Sequence, residues 1–260
     1  MSSPSSSSLQ SSSPLPQPSR TVLQNFITCS LVCMANTLHD IDHCYRVMLR
    51  SCRVFGQSID YRKFVDNLQP VIETKITTYA EYLLAKMSKV ANVWNILLPQ
   101  HRELTANAIA TVTERIKLDR GIAGWPMTDA IYIWPWLHLI AIHLDLNAGH
   151  AERVSYLRFI PNLIACSSCR QHYRQHSAQV IESLQLTTCA NALLALHTYV
   201  NSTRGIEDEE VDATTGVIKR KQKQQYVYNS DLVNVYFYEK YRREYFLLTT
   251  YYDKSLIKYI

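Results

Sequence analysis

Apolar residues recur at three- and four-residue spacing along most of the chain, the pattern of helices that each bury one stripe. Ile76, Tyr79, Leu83, Met87, Val90 and Trp94 form one such stripe, and Pro99 marks its break. The region 21–118 therefore predicts a helical N-terminal half. Gly121, Gly124 and Pro126 form the only dense breaker cluster in the body of the chain, which places a subdomain boundary there. A second helical block follows, with helices expected over 128–144, over 150–163, from near Cys166, and over 187–203, where Gly205 can end the last. The acidic run 207–212 then faces the basic run 219–223 across Thr214, Thr215 and Gly216, which predicts a self-neutralising loop or hairpin. The expected fold is all-α. It has a disordered tail over 1–20, a helical N-terminal subdomain over 21–122, a second helical core over 123–204, a charged loop or hairpin over 205–225, and packing helices over 226–260.

Composition sharpens this picture. The chain has 260 residues, 47% of them hydrophobic, enough to fill a core. Its 6 glycines and 9 prolines are too few for a fold of close-spaced strands. The first twenty residues are almost all Ser, Pro and Gln and bury too little to offset the entropy of ordering them. The apolar stretch 22–35 lacks a basic lead and is interrupted by Gln24, Asn25 and Thr28, so it reads as a buried helix and not a signal peptide. No run approaches the ~18 apolar residues of a membrane span. The net charge of +5 comes from cations spread along the chain and offset by nearby acids, which argues against nucleic acid as a partner.

The seven cysteines are too few and too unevenly placed for a disulfide scaffold in a chain with this much core. Most read as small apolar core residues, including Cys29 and Cys33, whose spacing on one helix holds their sulfurs too far apart for an unstrained bond. Cys166 and Cys169 differ. With His172 three residues further on they form one stripe of a helix, and the dipole and free N–H groups of a first turn favour thiolate there. Zinc competes for the same residues. However, one continuous helix sets Cys166 about 15 Å from His176, so a zinc site would need a second ligand pair. A thioredoxin-type motif would follow a strand, whereas the residues before Cys166 read as helix.

Two further polar pairs lie on apolar helix faces. Trp134 and His138 are four apart in WPWLHLIAIHL, and His197 and Asn201 are four apart in LHTYVN. Each pair alone is more simply a satisfied core pair. Together with the dithiol they describe a pocket for a flat heterocycle with hydrogen-bonding edges.

Trp134 with Leu137 and His138, then Cys166, Cys169 and His172, then Leu196, His197, Val200 and Asn201, in this order and at these separations, resemble the Erv/ALR sulfhydryl oxidases. The resemblance covers about 131–204. The length, Ser-rich start and large helical N-terminal half are similar to the sulfhydryl oxidases of baculoviruses, nudiviruses and related insect viruses. The resemblance implies a four-helix bundle that holds FAD, packed against the N-terminal subdomain. It implies Cys166 as the residue that exchanges with substrate and Cys169 as the residue against the flavin. Trp134, His138, His172, His197 and Asn201 become flavin or adenosine contacts. It further implies dithiol protein substrates, O2 as acceptor with release of H2O2, a role in virion protein maturation, and a homodimer. Ala165, Ile164 and Thr198 replace the usual Pro, aromatic and Asn, Leu194 replaces a structural cysteine, and Ile131 replaces a basic residue. The pyrophosphate partners are left to Arg204, Lys219 or Arg220. The rival from another class is a non-catalytic structural or zinc-binding helical protein.

Overall fold

The computed structural model describes residues 20–68, 79–119, 128–164, 167–203, 207–211, 218–222, 241 and 243–244. Of the expected tail over 1–20, Arg20 instead begins the first helix, and 1–19, the breaker cluster at Gly121, Gly124 and Pro126, and most of the 226–260 region lie outside the described residues. The fold is all-α in character. Among the described residues the helices are α1 (Arg20–Thr37), α2 (Ile41–Arg53), α3 (Tyr61–Leu68), α4 (Tyr79–Leu97), α5 (Arg102–Asp119), α6 (Thr128–Asn147), α7 (His150–Phe159), α8 (Ser167–Glu182) and α9 (Cys189–Thr203). One antiparallel hairpin, β1 (Glu207–Val211) with β2 (Ile218–Gln222), pairs Asp208 with Lys221, Glu209 with Arg220 and Glu210 with Lys219.

Twelve of the eighteen residues of α1 are buried, so this helix is interior on all sides, and it packs against α2, α4, α5 and α6. Burying hydroxyls there costs little because each bonds within the helix. Thr28 Oγ1 donates to the Gln24 carbonyl at 2.7 Å, Ser30 Oγ to that of Phe26 at 2.9 Å, and Thr37 Oγ1 to that of Cys33 at 3.3 Å. Cys29, Cys33, Cys44, Cys52 and Cys189 are free and buried. Burial pushes the thiols of Cys44 and Cys52 up to about 12 and raises those of Cys29 and Cys189 further, so all four stay protonated and inert.

α6 lies against α1 and also against α9, and α9 packs on α8, while α7 touches all three of α6, α8 and α9. Buried polar anchors fix these helices. Trp136 Nε1 donates to Ser51 Oγ at 3.1 Å and ties α6 to α2. Tyr156 OH donates to the Leu137 carbonyl at 2.7 Å and Tyr173 OH to that of Leu157 at 3.0 Å, linking α6 to α7 and α7 to α8. The α-helix at 150 ends at Phe159, short of the expected 163, because Pro161 has no N–H to continue the ladder and the chain turns 3-10 over Ile160–Asn162. Pro135 does not break α6, which is held on both sides by packing. Among the described residues no helix is long and apolar enough to cross a membrane.

The start of α9 is capped from two places. Thr188 Oγ1 accepts from Asn191 N at 3.2 Å, and Asp145, at the end of α6, accepts from Cys189 N at 2.7 Å and Ala190 N at 2.9 Å. Arg153 Nη1 lies 3.4 Å from the same carboxylate. Asp145→Ala should therefore lower stability by about 1–3 kcal/mol in urea unfolding, with Asp145→Asn recovering part of the loss. An alanine variant as stable as the parent would contradict the capping role.

Candidate functional site

α6 and α9 bring three of the residues singled out by sequence into direct contact. The Trp134 indole and the His197 imidazole stack with centroids 3.8 Å apart and planes 3° apart. His138 Nε2 lies 3.0 Å from His197 Nδ1, so one imidazole donates and the other accepts. Trp134 and His138 sit one turn apart on the α6 face that meets α9, as their spacing requires, with ring centroids 6.3 Å apart. His138 is 4% exposed. Burial, and secondarily the neighbouring His197, hold its imidazole well below the ordinary histidine range.

Tyr241, from the C-terminal region, stacks on the other side of this cluster, its ring 5.0 Å from that of His138 and tilted by 9°. The expected packing of 226–260 covers it without singling it out. It is one of 17 tyrosines and stands in no motif, so only its aromatic character was available as a signal. It is buried, and so closes the cluster from a segment remote in sequence.

The dithiol helix is α8, which begins at Ser167, one residue later than the expected start. Cys169 is its third residue, 4% exposed, and it is disulfide-bonded. Cys166 lies outside the described residues. His172 is half-buried one turn after Cys169. α8 packs along α9, where His176 stacks on Tyr199 at 3.4 Å and 19°. Asn201 is on α9 one turn beyond His197, but its side chain is outside the described residues. Of the suggested pyrophosphate partners, Arg204 is outside the described residues, while Lys219 and Arg220 stand on β2 in register with Glu210 and Glu209.

Among the described residues no group of three or more His, Cys, Asp or Glu side chains is placed to hold a metal ion. No protein-family model, curated protein or solved structure matches the chain.

The buried histidines set a pH dependence. His101, under Phe55 and Trp94, is pushed by burial down to about 4, in the same direction as His138. Both stay neutral when folded, whereas the unfolded chain takes up protons below about 6.5. Their contribution is thus intact above that pH and is lost as pH falls from about 6.5 towards 4. Thermal unfolding should show a melting temperature that drops between pH 7 and pH 5. His101→Gln should make the drop shallower, and an unchanged slope would contradict a neutral buried His101.

Proposed function

We propose that the protein is a flavin-linked thiol oxidase of the Erv/ALR type, with α6, α7, α8 and α9 as its four-helix bundle. FAD is its cofactor, dithiol proteins are its substrates and O2 is its final electron acceptor. The observation that carries this reading is a buried disulfide cysteine in the first turn of α8, beside a helix whose His197 joins Trp134 and His138 in one aromatic and imidazole cluster. Cys166 is proposed as the partner of Cys169, since the other five cysteines are free.

The residues fit a flat heterocycle in kind. The cluster combines a large indole face with hydrogen-bonding imidazole edges, and Trp134, His138 and Tyr241 in it are buried. Its geometry restricts the fit. Rings stacked at 3.8 Å leave no gap between Trp134 and His197, so a bound ring would lie against the pair and not between its members. Zinc is disfavoured by the disulfide itself, because thiolate and not disulfide sulfur is the metal ligand.

In this reading Cys166 receives the attack of a substrate thiolate and Cys169 leaves as thiolate, which the N–H groups and dipole of the α8 first turn stabilise. The substrate's second thiol completes its disulfide and leaves the protein pair reduced. Bound FAD supplies a two-electron acceptor that O2 can reoxidise. Trp134 orients the ring by stacking, and His138 and His197 offer hydrogen bonds, His138 without adding a buried charge. His172 and Asn201 contribute further polar contacts from α8 and α9. In the wider setting implied by the resemblance, the enzyme would act on virion proteins as a homodimer.

Dithiol-dependent oxygen consumption tests the proposal. The parent should consume O2 and release H2O2, and Cys169→Ala or Cys166→Ala should lower turnover by at least about 10³-fold, as loss of an essential nucleophile does. Trp134→Ala should lower cofactor retention more than it lowers turnover per bound flavin. Oxygen consumption that persists in both cysteine variants would exclude the dithiol.

A further inference from the structure

The seam between α2 and α7 is lined by arginines where two packed helices would ordinarily bury aliphatic side chains. Arg46, Arg50 and Arg53 follow one another at four- and three-residue spacing and form one stripe of α2. Glu152, Tyr156 and Phe159 repeat that spacing on α7. The two stripes meet in antiparallel order. Arg53 Nη1 pairs with Glu152 Oε1 at 3.2 Å. The Arg50 guanidinium lies 5.7 Å from the centre of the Tyr156 ring and 5.1 Å from that of Phe159, and the Arg46 guanidinium lies 5.7 Å from the same Phe159 ring.

Arg50 is enclosed without a counter-ion. It is 9% exposed, and its Nε and Nη1 are buried with no hydrogen-bond partner among the described residues. The ring faces offset part of the hydration that the guanidinium has lost, but they carry no net charge to balance it. Burial lowers the proton affinity of Arg50 from the ordinary arginine value, and the cations of Arg46 and Arg53 push the same way. An arginine keeps its proton in spite of this, so a positive charge is buried beside two like charges. The nearby carboxylates are engaged elsewhere. Glu152 is bonded to Arg53, Asp40 to His43, and Asp42 accepts from the Tyr61 hydroxyl at 2.5 Å. Arg46 has no ion pair among the described residues either.

We propose that Arg50 and Arg46 together bind a phosphate group at the outer edge of this seam. The enclosure of Nε and Nη1 leaves Nη2 as the nitrogen through which Arg50 can bond to an outside group. Arg46 is exposed and, held over the same aromatic ring, supplies the second donor fork. Charge decides between classes of anion. Two unpaired guanidiniums carry two positive charges, which a phosphate monoester matches with a charge of about −1.5 to −2 and three acceptor oxygens. A carboxylate offers one charge and two oxygens. The Arg53–Glu152 pair is neutral as a unit and leaves this balance unchanged. The site goes beyond the thiol-oxidase reading and does not depend on it, since it uses neither the dithiol helix nor the Trp134, His138 and His197 cluster. A soluble phosphate compound and a lipid headgroup present the same chemistry to it.

Equilibrium dialysis of the full-length protein against labelled inorganic phosphate, with chloride holding the ionic strength constant, tests the site. One phosphate per chain is expected. Arg46→Gln changes an exposed side chain and should weaken binding about 10-fold or more, as loss of a charge-assisted hydrogen bond does, and Arg46→Lys should recover part of the loss. Arg50→Met fills similar space without charge, a replacement that buried ion sites tolerate, and should weaken binding at least as much. Arg102→Gln, on α5, should bind as the parent does and controls for general attraction between the chain and anions. Sedimentation with phosphatidylcholine vesicles that contain phosphatidic acid separates the two sources. Co-sedimentation that is lost in Arg46→Gln identifies a lipid headgroup, and phosphate binding without co-sedimentation identifies a soluble compound. No bound phosphate in the parent, equal affinity in the parent and in both Arg46→Gln and Arg50→Met, or displacement of phosphate by acetate at equal concentration would each overturn the proposal.

Discussion

The burial of α1 on every side is the constraint from which the rest of the arrangement follows. A helix can occupy that position only if it presents apolar surface all round and satisfies its own hydroxyls, as Thr28, Ser30 and Thr37 do by bonding back one turn. Four further helices then have a common surface to pack on, and α6 is the one that carries Trp134 and His138. Side chains two apart on a helix point to nearly opposite faces. Trp136 accordingly faces the N-terminal half and bonds to Ser51, while Trp134 and His138 face α9 and meet His197. One helix thus transmits the rigidity of the N-terminal half to the cluster. Its continuity through Pro135 matters for that reason.

Environment, and not residue type, separates the cysteines. Cys29, Cys33, Cys44, Cys52 and Cys189 are enclosed by apolar side chains, and where burial raises the thiol it suppresses the nucleophilic form. Cys189 shows this most clearly. Its backbone N–H is capped by Asp145 at a helix start, yet its thiol is raised, by burial first and by the Asp145 charge second. Cys169 also stands near a helix start and is held in a disulfide. A helix N-terminus therefore favours thiolate only where desolvation and nearby carboxylates do not outweigh it.

Local pattern made the helices legible, because three- and four-residue periodicity is a local property. The break at Pro99 became a 3-10 turn over Pro99–His101, and the 128, 150 and 189 helix starts fall within two residues of their expected places. Spacing also told that Trp134 and His138 share a helix face. It could not tell that His197 would stack on Trp134 and not on another ring, since that pairing joins residues 63 apart in the chain. Tyr241 over His138, Asp145 capping α9, and His43 joined to Asn162 are of the same kind. Each depends on how two helices are laid together, which periodicity within either one does not encode.

The central claim is that the cluster beside the dithiol holds a flavin, and the visible absorption spectrum of the purified protein tests it most directly. Oxidised flavin bands that bleach on anaerobic addition of a dithiol and return in air are the predicted result, because they place cofactor and disulfide in one electron path. A featureless visible spectrum from folded protein supplied with FAD would contradict the claim and leave Cys169 as a structural disulfide.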